Sequence, residues 1–213
     1  MENIEKLNHY DHFEVLERFN IKKNTTCEAL SDWMCVDGQL LQAEDDILMK
    51  VRKELEKFGR DWNEEELKIN FIAFVFFIAQ INVEDKIQLF FERSMSGEVD
   101  GIKISVKVDA MVASPTNANR PKIPYFFLQE FKRSLGDDHD PEGQMLAAMI
   151  LAQTLNNDKK TLYGCWLQGK FWNFTTLINR NYCVSKTYDA TNMEDLRQIV
   201  FILRKLKGLI LDR

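Results

Sequence analysis

Long hydrophobic runs, signal-peptide features and phosphate-binding loops are all missing from this 213-residue sequence. The longest apolar run, residues 71–79, is far too short to cross a bilayer and suits a buried helix. The first residues, Met1–Glu5, lack the basic and apolar regions that a signal peptide needs. We therefore expect a cytoplasmic protein with no membrane partner.

Glycine and proline are scarce, at 9 and 4 residues, so long disordered tracts are not expected. No GxxxxGK or GxGxxG loop is present, which excludes a nucleotide-driven motor within this sequence. Ser134, Ser185 and Cys165 have no GxSxG or Cys–His context, so nucleophilic hydrolysis has no support.

Zinc and redox motifs are also missing. The four cysteines lie at scattered spacings without a CxxC pair, and we expect them to be reduced thiols in the core. The three histidines, His9, His12 and His139, are too few and too scattered for a zinc site, and none has a cysteine or carboxylate at ligand spacing.

The charge is uneven along the chain. Residues 1–119 contain 14 Lys and Arg against 23 Asp and Glu, a charge of −9, whereas residues 120–213 contain 14 against 10, a charge of +4. The second half could present a weakly positive face to a phosphate backbone. The alternative is that the uneven charge only solvates the surface.

Hydrophobic periodicity and turn residues predict a mixed α/β protein, with helices packed on a sheet. The predicted helices are an amphipathic one ending near Phe58, then 63–82, 141–156 and 193–209; the predicted strands are 87–93, 103–113, 125–132, 161–167, 171–174 and 182–188. The helix 63–82 is apolar on nearly every side and should sit inside the fold. We predict an N-terminal helical extension over residues 1–60 and a sheet domain over residues 61–213.

An acid and an ammonium stand two residues apart in a strand that is apolar on both sides. By strand alternation, Glu130 and Lys132 share the face that carries Phe126 and Leu128. Buried charges are costly unless they are paired or bind a metal. A divalent-metal site that cuts phosphodiesters explains them best, and a strand-end salt bridge between the two charges is the alternative.

A hairpin between the second and third predicted strands would bring Asp109 close to Glu130. These two carboxylates and the backbone carbonyl of Phe131 are the hard oxygen ligands that Mg²⁺ prefers. Lys132 could hold the attacking water and, with its pKa lowered by burial, accept the proton of that water.

Val108-Asp109 followed by Gln129-Glu130-Phe131-Lys132 resembles the signature of the PD-(D/E)xK nuclease superfamily. The resemblance extends through most of residues 60–213. The segment 63–72 looks like the helix before the nuclease sheet in motor subunits of type I restriction enzymes, where an acidic residue matching Glu64 completes the metal site. Gln144 matches a glutamine often found near that active site. The segments Asp140–Gln144 and Tyr163–Trp166 also resemble uncharacterised bacterial PD-(D/E)xK-like proteins.

The resemblance implies a restriction-endonuclease-like fold, a four-stranded mixed sheet flanked by helices. It also implies a Mg²⁺- or Mn²⁺-dependent nuclease acting on nucleic acid, in the first place DNA, in restriction or repair. Val108 stands where the family usually has proline, although the family varies there. The alternative is a catalytically inactive nuclease-like domain that binds DNA or a protein. Residues 1–60 would be the surface for a homodimer or a partner protein.

Several of these residues have a second interpretation. Glu64 belongs to a run of three glutamates that the dipole of a helix start favours in any case, and Glu66 is a rival if the register differs. Gln144 could be a polar residue that faces water at a helix start. The aromatic side chains of the later strands could stack on bases, but on short strands they are more often core: Tyr163, Trp166, Phe171 and Trp172.

Overall fold

The computed structural model describes residues 5–6, 10–134 and 140–213. The helices are α1 (His12–Arg18), α2 (Glu28–Met34), α3 (Gln42–Phe58), α4 (Glu64–Leu67), a π-helical segment (Lys68–Ile72), α5 (Ala73–Ala79), α6 (Pro141–Asn156) and α7 (Met193–Leu211). The strands are β1 (Glu5–Lys6), β2 (Lys22–Asn24), β3 (Gln88–Val99), β4 (Ile102–Pro115), β5 (Pro121–Lys132), β6 (Leu162–Gln168), β7 (Phe171–Ile178) and β8 (Asn181–Asp189). His9 and His139 lie outside the described residues.

The strands form one mixed sheet in the order β1-β4-β5-β6-β7-β8-β2, and β3 also pairs with β4. The pairs β4–β5, β6–β7 and β7–β8 are antiparallel, whereas β5–β6 is parallel. Helix α6 makes the crossover that a parallel pair requires. The predicted mixed sheet with flanking helices is confirmed, but it has eight strands rather than four. The additional strands come from the hairpins after β6 and from two short N-terminal strands.

Helices cover both faces of the sheet with separate apolar cores. One core joins the sheet to α2, α3, α5 and α7 and includes Trp33, Leu48, Phe71, Val75, Phe127 and Leu203. The other joins the sheet to α1 and α6 and includes Val15, Phe19, Val108, Leu128, Met145 and Leu146. The predicted burial of α6 and of the apolar stripe of α7 is confirmed.

The N-terminal segment is helical, as predicted, but it also supplies two strands. Strand β1 pairs in parallel with β4, and β2 pairs in parallel with β8. Helix α1 packs on α6, while α2 and α3 pack on α7. A division of the chain at residue 60 stays a prediction.

The prediction that the helix 63–82 is buried on every side is wrong. Ile69, Phe74 and Phe77 are 62%, 40% and 72% exposed, because only one side of this helical segment faces α3, α7 and the sheet. The helix ends at Ala79, where Gln80 takes a left-handed conformation. None of the described helices is long and apolar enough to cross a membrane.

The alternation predicted for β5 fails at its start. Val112 of β4 pairs with Phe127 and Ala113 pairs with Tyr125, which leaves Phe126 as an extra residue in a β-bulge. Phe126 therefore joins the core under α5 and α7, whereas Leu128 joins the core under α6. A bulge shifts every side chain before it to the other face, so strict alternation misplaced Phe126.

Two of the four cysteines form a disulfide. Cys27, before α2, is joined to Cys183 of β8, with their Cα atoms 6.4 Å apart. Cys35 and Cys165 are free, the first exposed and the second buried. The prediction of reduced thiols is therefore wrong for this pair, whose separation of 156 residues leaves no sequence signal.

Candidate functional site

The site lies where β4 and β5 part. Backbone pairing of these strands ends at Ala110 and Gln129. One residue further, Asp109 Oδ2 accepts a hydrogen bond of 2.8 Å from the backbone N–H of Phe131. The carboxylate thus takes the place of the next backbone hydrogen bond between the two strands. We call this place, where β4 and β5 separate beside Asp109, Glu130 and Lys132, the fork. The predicted hairpin between the second and third strands is confirmed, and it brings Asp109 to the backbone of Phe131, next to Glu130.

The backbone carbonyl of Phe131 points toward the same fork. The carbonyl of Lys132 accepts a hydrogen bond from Gly169 N–H at 2.8 Å, on the side of β6. Along an extended strand, successive residues direct their backbone groups to opposite sides. Phe131 therefore directs both its N–H and its C=O toward β4 and Asp109, which is the orientation expected of a ligand carbonyl.

Lys132 links the two other acidic residues. Its Nζ lies 3.2 Å from Glu130 Oε1 and 3.2 Å from Glu64 Oε1. Glu130 and Lys132 are only 4% and 8% exposed. The salt bridge that was the alternative interpretation is therefore present, but it involves a third charge from α4 and lies beside Asp109.

The three glutamates at the start of α4 have three different partners. Glu66 Oε2 accepts the backbone N–H of Asn63 at 2.8 Å, and the Asn63 side chain accepts the N–H of Glu66 at 2.9 Å, which is a capping box. Glu65 pairs with Lys68. Because the cap occupies Glu66 and Lys68 occupies Glu65, Glu64 is the glutamate that reaches Lys132.

Burial raises the pKa of both carboxyl groups, and neighbouring negative charges add to the shift: those of Glu64 and Glu92 at Asp109, and those of Asp109 and Glu64 at Glu130. Burial raises the pKa of Glu130 to about 8, and the negative charge of Asp109 contributes to that shift. Burial also raises the pKa of Asp109 to about 6, against the opposing effects of the Phe131 N–H and Lys132. At neutral pH these values leave Asp109 mostly ionised and Glu130 mostly protonated when no further cation is bound.

The prediction of a lowered pKa for Lys132 is wrong. Burial lowers the pKa of this ammonium, but the carboxylates of Glu130, Glu64 and Asp109 outweigh burial and raise it. The sequence indicated that the strand is buried, but it did not show that three carboxylates surround the Lys132 ammonium. Lys132 is therefore an ammonium that donates hydrogen bonds.

The charge balance suits a divalent cation. Glu64, Asp109 and Glu130 together carry three negative charges when ionised, and Lys132 supplies one positive charge. The nearby Lys68 and Lys107 are both paired with Glu92, whose negative charge also acts on Asp109 and helps to raise its pKa, while the charge of Asp109 helps to raise the pKa of Lys107. Two carboxylates and a backbone carbonyl are hard oxygen donors, which fit Mg²⁺ or Mn²⁺ better than softer metals.

The three acids of the fork do not form a compact set of three metal ligands. Among the described residues, the group of three or more potential ligands whose ligating atoms lie within 4.8 Å of one another does not include Glu64, Asp109 or Glu130. Lys132 lies between Glu64 and Glu130. Asp109, Glu130 and the Phe131 carbonyl are the oxygen donors that could hold a metal, whereas Glu64 contacts Lys132.

Gln144 lies in the first turns of α6, which packs against β4, β5 and β6. It is half-buried, and within the part of the chain that the structure describes its Oε1 is buried without a hydrogen-bond partner. A buried acceptor without a partner is costly. Gln144 therefore does not simply face water, although no hydrogen bond joins it to Asp109, Glu130 or Lys132.

A second group of potential ligands joins Asp11, His12 and Asp140. Spacing along the sequence predicted no carboxylate placed to share a ligand with His12, but the start of α6 packs against α1 and brings Asp140 to it. Both carboxylates already accept hydrogen bonds from the starts of the two helices. Asp11 Oδ1 accepts the N–H groups of Phe13 and Glu14. Asp140 Oδ1 accepts the N–H groups of Glu142 and Gly143, and Oδ2 accepts the N–H of His12 and contacts its Nδ1 at 2.6 Å. This group therefore caps the starts of α1 and α6 and joins the two helices.

We expect Asp140→Ala to lower the free energy of unfolding by about 1–2 kcal/mol, because it removes the cap of α6 and the contact with His12. Urea denaturation measures the loss, and Asp37→Ala, an exposed loop substitution, is the control. Calorimetric titration with Mn²⁺ should give the same affinity in both variants. Loss of Mn²⁺ binding in Asp140→Ala alone would place the metal at this group instead.

No protein-family model matches the chain, and no curated protein sequence matches it significantly. The interpretation of the site therefore depends on its geometry. Sequence reasoning identified the charged residues of the fork, but it missed the basic cleft beside it, which contains Arg60 and Lys170. The sequence held one weak signal for the position of Lys170: Gly169-Lys170 forms a two-residue hairpin turn, with Gly169 at φ +58°, and a turn of this kind exposes its side chains.

Proposed function

We propose that this protein is a metal-dependent nuclease that hydrolyses phosphodiester bonds, with DNA as its substrate. The observation that carries the proposal is the fork of β4 and β5. The carboxyl groups of Asp109 and of the buried Glu130 come from adjacent strands there, the charge of Asp109 helps to raise the pKa of Glu130, and Lys132 is the ammonium in contact with Glu130. Such an arrangement costs stability unless a cation compensates it.

Asp109, Glu130 and the Phe131 carbonyl would hold Mg²⁺ or Mn²⁺. Asp109 offers Oδ1, because its Oδ2 is engaged by the Phe131 N–H. When bound, the metal supplies charge stabilisation for the pentacovalent phosphate and acidifies water. Its binding would also release Lys132 from Glu130.

Lys132 would position the attacking water and stabilise the phosphate charge as a hydrogen-bond donor. Because its pKa is raised, it is not the group that takes the proton. Glu64 lies 3.2 Å from the same Nζ and is more than one-third exposed as a side chain, so it can accept that proton and pass it to solvent. Attack in line at phosphorus would leave 5′-phosphate and 3′-hydroxyl ends.

The biological setting follows from the same interpretation. A positive second half of the chain favours a phosphate partner, and restriction or repair are the processes we propose, in the cytoplasm. Residues 1–60 are the proposed surface for a homodimer or partner protein. The alternative function is a nuclease-like domain without catalysis, which is favoured by the fact that Lys132 is already held by two carboxylates.

A plasmid-nicking assay with Mn²⁺ tests the proposal. We expect the wild-type protein to nick supercoiled plasmid and Asp109→Asn to be inactive. Asp85→Asn is the matched control, because Asp85 is exposed in a turn far from the fork and has a φ that asparagine tolerates. Mn²⁺ titration by calorimetry should show a site in the wild type and in Asp85→Asn but not in Asp109→Asn.

Two results would contradict the proposal. Equal nicking by wild type and Asp109→Asn would assign the activity to another site or to a contaminant. Metal binding that depends on Asp109 without any nicking would support the non-catalytic alternative.

A further inference from the structure

A cleft of about 600 Å³ opens next to the fork, at the end of β5. Its volume lies within the range of small-ligand sites and could take one or two nucleotides. The polar and aromatic residues of its lining are Arg60, Ser134, Gln168, Lys170, Phe171 and Thr191, and the last turn of α3 closes it on one side.

The cleft adjoins the end of β5 that carries Lys132. Gln168 is the partner of Lys132 in the β5–β6 register, and the Gly169 N–H binds the carbonyl of Lys132. Ser134 follows Lys132 by two residues, and its Oγ donates to the Gly59 carbonyl at 3.3 Å. A strand of nucleic acid that passes over Lys132 would therefore be directed toward the cleft.

Arg60 is a free cation at the mouth of the cleft. It is exposed, and within residues 10–134 and 140–213 no carboxylate is paired with it. Glu56, the acid of the lining, is paired with Arg52 instead. Lys170 is paired with Asp189 at 2.8 Å but keeps 40% of its side chain exposed. A guanidinium and an ammonium group that line the same cleft suit a phosphodiester backbone.

Phe171 supplies an aromatic face. Its side chain is 43% exposed on the β6–β7 hairpin, although the adjacent Trp172 is fully buried and anchors the strand. The Lys170 Nζ lies 5.0 Å from the ring centroid. Of the four aromatic residues that the sequence offers as candidates for base stacking, Phe171 is the one with an exposed ring, because Tyr163 and Trp172 are buried and Trp166 is half-buried.

We infer that this cleft binds an unpaired nucleotide of the substrate, adjacent to the scissile phosphate. Phe171 stacks on the base, and Arg60 and Lys170 bind the flanking phosphates. In a duplex the faces of each base are covered by its neighbours, so an isolated ring on a turn recognises a base that has left the stack. The substrate class is therefore DNA with a single-stranded segment, such as an overhang or a flap. This inference rests on the proposed nuclease function.

Fluorescence anisotropy with a labelled single-stranded oligonucleotide in EDTA measures binding without cleavage. We expect Phe171→Ala to raise the Kd by about tenfold and Phe171→Trp to retain affinity, because stacking needs an aromatic face. Phe77→Ala is the control, since Phe77 is 72% exposed at the end of α5 and away from the cleft. Arg60→Gln should weaken binding and reduce its salt dependence, whereas Lys50→Gln, on the exposed face of α3, should not.

A blunt duplex supplies the second comparison, because its affinity should not change in Phe171→Ala. Equal affinity of wild type and Phe171→Ala for the single strand would overturn the inference, and so would a wild type that binds the blunt duplex better than the single strand.

The two proposals fail separately. If Asp109→Asn abolishes nicking while Phe171→Ala binds single strands normally, the nuclease stands and the cleft is not its subsite. If Phe171→Ala loses binding while neither wild type nor any variant nicks DNA, the cleft binds nucleotides and the nuclease proposal fails.

Discussion

Lys132→Met will lower the single-turnover rate of Mn²⁺-dependent nicking by about 10²–10⁴-fold. Methionine keeps the length and much of the apolar stem of this nearly buried side chain, so the strand should stay folded. In the proposed mechanism, the substitution removes the ammonium that would orient water and stabilise the phosphate, while Asp109, Glu130 and the Phe131 carbonyl remain. Rates measured with excess enzyme isolate the chemical step.

The metal site of Lys132→Met should remain, and this separates a catalytic lysine from a structural one. Calorimetry should show Mn²⁺ affinity at least equal to that of the wild type, because an ammonium that competes for Glu130 has gone. Lys103→Met is the matched control, since Lys103 is exposed on the same face of β4 as Asp109. If Lys132→Met loses no activity, the assigned role is wrong. If it loses metal binding together with folding, Lys132 is structural.

Asp109→Asn will stabilise the metal-free protein at pH 8 by about 1–2 kcal/mol and will make little difference at pH 4. Both carboxyl pKa values of the fork are raised, that of Asp109 to about 6 and that of Glu130 to about 8. The native protein therefore binds more protons than the unfolded chain between about pH 4 and pH 8. The stability that these protons contribute is present below the unfolded-state pKa values and is lost as the pH rises through 6 and then 8.

Asparagine at position 109 removes the repulsion but keeps an oxygen that can accept the Phe131 N–H. Urea denaturation in EDTA between pH 4 and pH 8 measures the effect, with Asp85→Asn as the control. In the wild type, added Mg²⁺ should raise the unfolding midpoint more at pH 8 than at pH 6, because binding requires both carboxyl groups to be ionised. Asp109→Asn should show no such increase. A variant less stable than the wild type at pH 8 would mean that the Asp109 charge supports the fold.

Much of the secondary structure could be predicted from the sequence because its signals are local. Asp140 and Pro141 mark the start of α6, and Asn63 marks the start of α4, because a helix start needs an acceptor for its first N–H groups. The alternation over residues 103–110 gave the correct buried face of β4. The sequence also indicated that Asp109, Glu130 and Lys132 lie near the ends of two strands. Charged residues in an apolar strand are costly to bury, so they stand out.

Tertiary structure alone decided what surrounds those charges. The raised pKa of Lys132 depends on Glu64, which lies 68 residues away along the chain. The bulge at Phe126, the disulfide between Cys27 and Cys183, and the contact of His12 with Asp140 also join segments that have no mutual signal in sequence. The same holds for the cleft beside the fork, where Arg60 and Phe171 meet.

The physical reason for this difference is the distance along the chain over which each interaction acts. Periodicity and capping act over a few residues, so the sequence by itself determined the helices, the strands and the presence of a buried acid–acid–amine set. Desolvation and charge interactions act through space and depend on packing between distant segments. Packing therefore decided which acid contacts the lysine, which protonation states the fork favours, and which aromatic ring stays exposed beside it.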